Sequence, residues 1–350
     1  MYLSHFKLRD LPFRLTPDTE YLFLSSDHAR AKSYMEYTVW NREGFVVITG
    51  EVGAGKTTLV KQLLSELDEN VVAAHVFQTQ LNDVEFLQAV LVEFGFKPFQ
   101  APKAELLDTL NTFLIEQFQA GRQIVLIVDD AHNLGLKTLE EIRMLSGLET
   151  SKEKIVHIML VGQPQLNDLL DRPELEQLRQ RVRLRYHIKP LSQTDTRDYI
   201  QHRLKIAGAE GEEIFDASTY PVVHEYTGGL PRLINSLCDT ALVVAYADGQ
   251  TRVSKEVLRS AIEELQWPTF AAREAASKRK PKGRTRKRDD VLESLPDLIA
   301  RQTLILGAID QTLSGLNVTL RHMPDLAERL AQLEQKLDEL SGDWRKRVRQ

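Results

Sequence analysis

The sequence is poor in the residues and segments that mark secreted, membrane and metal-binding proteins. It has one cysteine, Cys238, in 350 residues, so no intramolecular disulfide can form, as is usual in a reducing compartment. No apolar run reaches the roughly 18 residues that a membrane-spanning helix needs. Residues 1–10 carry charges and no apolar core, so no signal peptide is expected. The sequence therefore predicts a cytoplasmic protein without a membrane span, with a peripheral position at the inner membrane as the alternative.

Two further absences narrow the function classes. The nine histidines are scattered, without the spacing of a metal site. The formal net charge is -5, which argues against a chain that binds polyanions over its whole surface. Apolar residues make up 42% of the chain, enough for a sizeable core.

The most informative motif that is present is a phosphate-binding loop, or P-loop. It fits the pattern G-x-x-x-x-G-K-[ST] between an apolar strand pattern and a helix pattern, the context that this motif requires. The nucleotide-binding residues it predicts are Gly50, Glu51, Val52, Gly53, Ala54, Gly55, Lys56, Thr57 and Thr58. Lys56 is expected to reach the β- and γ-phosphates of ATP, and Thr57 to ligate Mg²⁺.

A second nucleotide element follows the apolar run Ile124–Val128. Asp129 ends this run and is expected to hold Mg²⁺. Asp130 comes next and is the candidate general base for the attacking water. Aspartate is one methylene shorter than glutamate, which is usual at this place in the family named below. A catalytic carboxylate that is misplaced by about 1 Å can cost roughly 10²-fold in rate. Slow hydrolysis, or none, is therefore expected.

Four other polar residues are candidates for the same site. Gln163 follows the apolar run 155–161, whose tip is expected between the P-loop strand and the strand that ends at Asp129. Arg181 is the first candidate for an arginine that binds phosphate, and Arg179 is the second, because guanidinium forks onto phosphate oxygens. The resemblance given below implies that this arginine reaches the ATP of a neighbouring subunit. Arg232 opens a helix after Gly228-Gly229 and is expected to touch the γ-phosphate from a lid.

The arrangement of patterns predicts an α/β protein with added helices. Strands alternate with helices up to about residue 190, which implies a five-stranded parallel sheet with crossovers. The predicted strands are 45–49, 71–77, 124–128, 155–161 and 183–188. Four helices, 194–206, 218–226, 231–246 and 254–265, then predict an all-α lid.

The predicted domain boundaries follow from these patterns. Residues 1–190 hold an N-terminal lead-in (residues 1–40) and the nucleotide-binding domain, and residues 191–268 hold the lid. Lys and Arg crowd residues 269–290, which predicts a disordered basic linker. Residues 291–350 show apolar 3-4 spacing, which is typical of a helical, coiled-coil tail that either self-associates or docks on its own core.

With these motifs assembled, residues 1–266 resemble a bacterial AAA+ family, the general-secretion-pathway A ATPases. Within it, the chain is most similar to the secretion ATPases of exosortase/PEP-CTERM exopolysaccharide loci. The segments that carry the resemblance are 11–18, 44–59, 79–81, 161–164, 178–182 and 229–235. The resemblance implies an AAA+ fold, ATP with Mg²⁺, homo-oligomers with the arginine finger supplied in trans, and work with a membrane-export or polysaccharide-assembly partner.

Two departures from this family leave other functions open. Asp130 replaces the usual glutamate. A nucleotide-gated scaffold with little hydrolysis is therefore one alternative function. Secretion-pathway members continue into a membrane span and a periplasmic part, and neither pattern is present here.

A DNA-associated AAA+ regulator of the transposition type is the other alternative, because residues 278–288 could bind phosphates through counterion release. No aromatic residues interleave with these basic residues, which disfavours it.

Overall fold

The structure, a computed structural model, describes residues 2–40, 44–77, 79–150, 153–209 and 213–279. The chain divides into two compact units, Met1–Ser277 and Lys278–Gln350, and the described residues belong almost entirely to the first. The predicted coiled-coil tail, and the predicted linker beyond residue 279, lie outside the described residues.

A five-stranded parallel sheet forms the centre of the first unit, as the sequence predicts. Its strands are β1 (Phe45–Gly50), β2 (Val71–Val76), β3 (Gln123–Val128), β4 (Val156–Gly162) and β5 (Leu184–Ile188), in the order β2-β3-β4-β1-β5. The expected place of β4, between the P-loop strand and β3, is confirmed. Thr49 pairs with Gly162 and Val128 with Leu160, so the carboxyl ends of the three central strands lie side by side.

Helices cover both faces of the sheet because its strands are apolar on both sides. The short first helix, α1 (Tyr2–His5), packs instead with the later helices described below. The helices on the sheet are α2 (Ser26–Trp40), α3 (Lys56–Glu66), α4 (Asp83–Glu93), α5 (Lys103–Gln119), α6 (Leu136–Leu145), α7 (Gln165–Leu170) and α8 (Glu176–Arg179). Helices α2 and α3 pack with Val125 and Ile127 on one face. Helices α4, α5 and α6 pack with Ile124, Leu126 and Val128 on the other.

The four predicted lid helices are present. They are α9 (Gln193–Ile206), α10 (Thr219–Thr227), α11 (Pro231–Ala247) and α12 (Lys255–Glu264). A capping box between Ser192 and Asp195 starts α9, and Gly228, with a φ of 60°, ends α10. The lead-in packs into the same core as these helices, through Tyr2, Phe6, Leu8, Phe13 and Tyr21.

One prediction is corrected within the described residues. Residues 270–279, assigned from their charge to a disordered linker, form a further helix, α13 (Phe270–Arg279). Its alanines favour helix, and the Phe270 ring lies against Gly228, where the ring would collide with any Cβ. Arg273 donates to the carbonyl oxygen of Tyr226 and lies 4.8 Å from the centre of the Trp267 ring. No helix of the described residues is long and apolar enough to cross a bilayer.

Candidate functional site

A cavity of about 400 Å³ lies at the carboxyl ends of the central strands. The parts of the chain that form its walls are the P-loop with the start of α3, the lead-in, the lid, and the segments that follow β3 and β4. Most of the predicted site residues line it: Val52, Gly53, Gly55, Lys56, Thr57, Thr58, Asp130, Gln163 and Arg232. The sheet edge and the lid therefore bring together residues that are up to 180 positions apart in the chain.

The P-loop has the backbone that its glycines permit. Gly53 has a φ of 79° and Gly55 a φ of 91°, both in the left-handed region. A Cβ on Gly53 would collide with the side chain of Arg232, so the loop and the lid are in direct contact. The backbone N–H of Arg232 also donates to Gly53 O at 3.2 Å. The first turn of α11 is thus fixed to the loop.

The side chain of Lys56 turns back onto the P-loop backbone. Its Nζ donates to Gly50 O at 2.9 Å and to Glu51 O at 3.0 Å, and the side chain is buried. Burial lowers the pKa of Lys56, while the nearby carboxylates of Asp129, Asp130 and Glu51 raise it. The ammonium has carbonyl partners but no carboxylate within ion-pairing distance among the described residues, which suits a group that must meet an anion.

Thr57 and Asp129 are joined at the start of α3. Thr57 Oγ1 donates to Asp129 Oδ2 at 2.6 Å, and the other carboxylate oxygen, Oδ1, accepts the backbone N–H of Asp130 at 2.8 Å. Asp129 is 3% exposed. A hydroxyl and a buried carboxylate beside a phosphate loop are the oxygen ligands that Mg²⁺ takes in nucleotide sites. The donor set fits this ion, and Thr57 and Asp129 would hold it.

Asp130 stands at the cavity in an unusual backbone conformation. Its φ is 49° and its ψ 33°, the left-handed region, where aspartate is several-fold enriched. Thr79 Oγ1 donates to Asp130 O at 2.9 Å and ties this turn to the segment after β2. The side chain is 55% exposed, so its carboxylate is solvated. The left-handed backbone is therefore one physical reason for aspartate at position 130.

Gln163 lies beside Asp130, and His132 connects the two. His132 Nδ1 accepts the backbone N–H of Gln163 at 3.4 Å and lies 3.9 Å from Asp130 Oδ1. Burial lowers the pKa of His132, which favours the neutral ring. The geometry places Gln163 and Asp130 on one wall of the cavity, where a polar group can orient a water molecule.

The arginine-finger candidates lie away from the cavity of their own chain. Arg181 Nη1 donates to Arg143 O at 2.7 Å and to Ser146 Oγ at 2.9 Å, at the end of α6. Arg179 is exposed and pairs with Glu176 at 3.1 Å. Neither lines the cavity. Arg181 would have to leave two acceptors before it could reach another subunit.

Several cavity residues were not found by sequence reasoning. Arg203 is buried in α9 and donates to the carbonyl oxygen of Pro12 and to Tyr199 OH, the latter at 3.0 Å. Tyr199 OH donates to Asn235 Oδ1 at 2.8 Å, and Asn235 Nδ2 donates to Arg14 O at 3.2 Å. This network, hereafter the lead-in/lid network, joins two helices of the lid to the lead-in. The i, i+4 spacing of Tyr199 and Arg203 was the one local signal that could have linked them.

The cavity has the shape and chemistry of a nucleotide site. One end holds the P-loop with Lys56 and Thr57. Other parts of its wall are aromatic, with Tyr21, Phe23 and Tyr199. Phosphates suit the first kind of wall and a base and sugar suit the second. The residues present fit a nucleotide with Mg²⁺. Among the described residues, no group of three or more His, Cys, Asp or Glu side chains forms another candidate metal site.

Comparison with known proteins gives this site a context. Residues 40–170 match the family model described as an AAA domain. General secretion pathway protein A of Aeromonas hydrophila is 37% identical over 254 residues, which are 72% of this chain and 46% of that protein. The chain thus matches a little less than half the length of this relative.

Solved structures share the fold. The ORC2 protein of Aeropyrum pernix, in its ADP form, is 18% identical, with a TM-score of 0.53 over 69% of each chain. The ORC1 protein of the same organism, in complex with DNA, is 17% identical, with a TM-score of 0.56 over 94% of this chain and 87% of that one. The chain has the α/β fold of these AAA+ proteins, and its AAA domain is related to that of general secretion pathway protein A.

Proposed function

We propose that this chain is an AAA+ ATPase that binds ATP with Mg²⁺ in the cavity between the P-loop, the lead-in and the lid. The observation that carries the proposal is the meeting of Lys56, Thr57 and Asp129. Thr57 and Asp129 lie 72 residues apart and share a 2.6 Å hydrogen bond beside the phosphate loop. Mg²⁺ would supply charge neutralisation at the phosphate oxygens. Lys56 would hold the phosphate chain, and Arg232 would reach it from the lid.

The hydrolytic role falls to Asp130 and Gln163. Asp130 would accept a proton from the attacking water, and Gln163 would orient that water. The turn at residue 130 is fixed through its backbone, while the carboxylate itself is exposed. A weakly positioned base supports slow turnover. The same observation favours a second function, a nucleotide-gated scaffold that binds ATP and scarcely hydrolyses it.

The cellular role that we propose is assembly or regulation of a bacterial envelope secretion or polysaccharide apparatus from the cytoplasmic side. The related AAA domain of general secretion pathway protein A supports a secretion role. The exopolysaccharide assignment rests on the motif segments of the sequence alone. The DNA-regulator alternative depends on residues 278–288, and nearly all of that run lies outside the described residues.

Steady-state ATP hydrolysis, measured together with oligomeric size, tests the enzymatic proposal. Wild type is expected to turn over ATP, and Lys56→Ala and Asp130→Asn are expected to stop it. ATP-dependent assembly with no turnover above Asp130→Asn would reject the ATPase in favour of the scaffold. Wild type that neither binds nor hydrolyses ATP would reject both.

We also propose that the active site is shared between subunits and that Arg181 is donated in trans. Mixing two inactive variants tests this. Lys56→Ala retains Arg181, and Arg181→Ala retains an intact P-loop, so mixed interfaces are expected to regain up to a quarter or so of wild-type activity. Arg179→Ala, measured alone, is the matched control and is expected to remain active. No recovery in the mixture with Arg181→Ala, or an Arg181→Ala variant that stays active while Arg179→Ala does not, would remove Arg181 from this role.

A further inference from the structure

A buried histidine of the lead-in contacts the phosphate loop directly. His28 lies near the start of α2 and is 3% exposed. Its Nε2 is 2.8 Å from Ala54 O, within the P-loop, and its Nδ1 is 2.7 Å from Ser25 Oγ. His28 also lines the cavity. No motif contains it, and the established pattern of the P-loop does not require it.

The hydrogen bonds fix which ring nitrogen carries the proton. Ala54 O can only accept, so Nε2 must donate. Burial lowers the pKa of His28, so the ring is neutral and Nδ1 accepts the hydroxyl proton of Ser25. His28 is therefore an oriented donor aimed at one carbonyl of the loop.

That carbonyl belongs to the same peptide unit as the N–H of Gly55. The peptide unit is planar and trans, so the Ala54 C=O and the Gly55 N–H point in opposite directions. Fixing Ala54 O against His28 therefore fixes the direction of the Gly55 N–H. The fit is close, because a Cβ on Gly55 would lie 3.1 Å from His28 Nε2.

We infer that His28 is a positioning residue that holds the Gly55 N–H toward the phosphate chain of a bound nucleotide. The inference rests on the proposed function, since it assumes a nucleotide in the cavity. It assigns to the lead-in a part in phosphate binding. An unsupported glycine loop samples many backbone conformations, and the histidine selects one before the ligand arrives.

Equilibrium binding of ADP, followed by calorimetry, is the first test. His28→Ala is expected to weaken ADP binding about tenfold, the effect of one well-placed hydrogen bond. His28→Gln offers a neutral donor to the same carbonyl and is expected to recover binding to within about threefold of wild type. His5→Ala is the matched control, because His5 Nε2 contacts the carbonyl oxygen of Gln250 at 2.8 Å, far from the loop.

Two readouts separate positioning from general damage. Loss of loop geometry weakens ADP more than adenosine, which has no phosphate, whereas a loosened cavity wall weakens both equally. In the nucleotide-free protein labelled with ¹⁵N-glycine, the Gly55 amide signal is expected to shift in His28→Ala and not in His5→Ala. A fold check by thermal unfolding accompanies each variant.

Each outcome bears on a distinct claim. If wild type binds ADP and His28→Ala binds it equally well, the inference fails and the proposed function stands. Equal losses for ADP and adenosine, or an unmoved Gly55 signal, also overturn the inference. If wild type binds no nucleotide, or Lys56→Ala binds as wild type does, the proposed function fails and the inference falls with it.

Discussion

At the scale of single residues, the backbone and the proposed chemistry at Asp130 favour different side chains. The left-handed backbone favours aspartate over glutamate. The proposed role as general base favours the longer glutamate, whose carboxylate reaches farther. The exposed carboxylate of Asp130 lies 3.9 Å from His132 Nδ1. With Asp130 as the proposed base, turnover would depend on how far its carboxylate can reach.

Asp130→Glu tests this reach. We expect a rise in turnover of up to about 10²-fold, because the added methylene advances the carboxylate by about 1 Å. A small loss of thermal stability should accompany it, since glutamate tolerates the left-handed region less well. Single-turnover hydrolysis, with Asp130→Asn as the inactive reference, measures the effect. A slower Asp130→Glu would mean that the shorter side chain is matched to its site.

At the scale of elements, the lead-in belongs to the lid as much as to the sheet. Arg203 of α9 donates to Pro12 O and lies 4.8 Å from the centre of the Tyr21 ring. Both contacts use the flat, forked guanidinium, which lysine lacks. The lead-in/lid network is therefore specific for arginine at this position.

We expect Arg203→Lys to lower the free energy of unfolding by about 2 kcal/mol, the value of a charged hydrogen bond and its stacking. Arg197 lies on the same helix, is exposed and pairs with its neighbour Asp198. Arg197→Lys should change stability by less than about 0.5 kcal/mol. Urea unfolding of both variants gives the comparison. Equal effects would show that the lead-in/lid network adds no stability.

The elements were predictable from the sequence where the signal is local, and the assembly of the site was not. Strand β3 has an apolar pattern and the P-loop a glycine pattern, each within ten residues. The predicted position of β4 between β1 and β3 is confirmed. His28 and Arg203 act through contacts 26 and 191 residues away. The residues that flank His28 and Arg203 in the sequence do not indicate these distant partners. Helix α13 was not predicted, because the Lys and Arg residues of this segment indicate a disordered linker whereas its alanines favour a helix.

At the scale of the whole molecule, fully or partly buried neutral histidines make the free energy of unfolding depend on pH. Among the described residues, desolvation lowers the pKa of His28, which is buried, and of His75, His132 and His202, which are half-buried. For His28, the hydrogen bond to the Ala54 carbonyl opposes this lowering of the pKa most, followed by the charges of Asp27 and Asp195. Each ring binds a proton more readily in the unfolded chain, so unfolding takes up protons as the pH falls below about 6.5.

The free energy of unfolding should therefore decrease between about pH 7 and pH 5, before most carboxylates titrate. His28→Gln removes one of the four groups and should flatten this slope. Denaturant unfolding at half-unit pH steps measures both curves. A free energy that does not fall with pH, or an equal slope in His28→Gln, would contradict this account.

The shared core of lead-in and lid has a consequence for synthesis. Tyr2, Phe6 and Phe13 leave the ribosome well before the helices that cover them, which begin about 180 residues later. At about 5–20 residues per second, these side chains wait roughly ten seconds or more for their partners. A fragment cut at residue 40, where the family match begins, would lose these side chains and leave the lid with an open core.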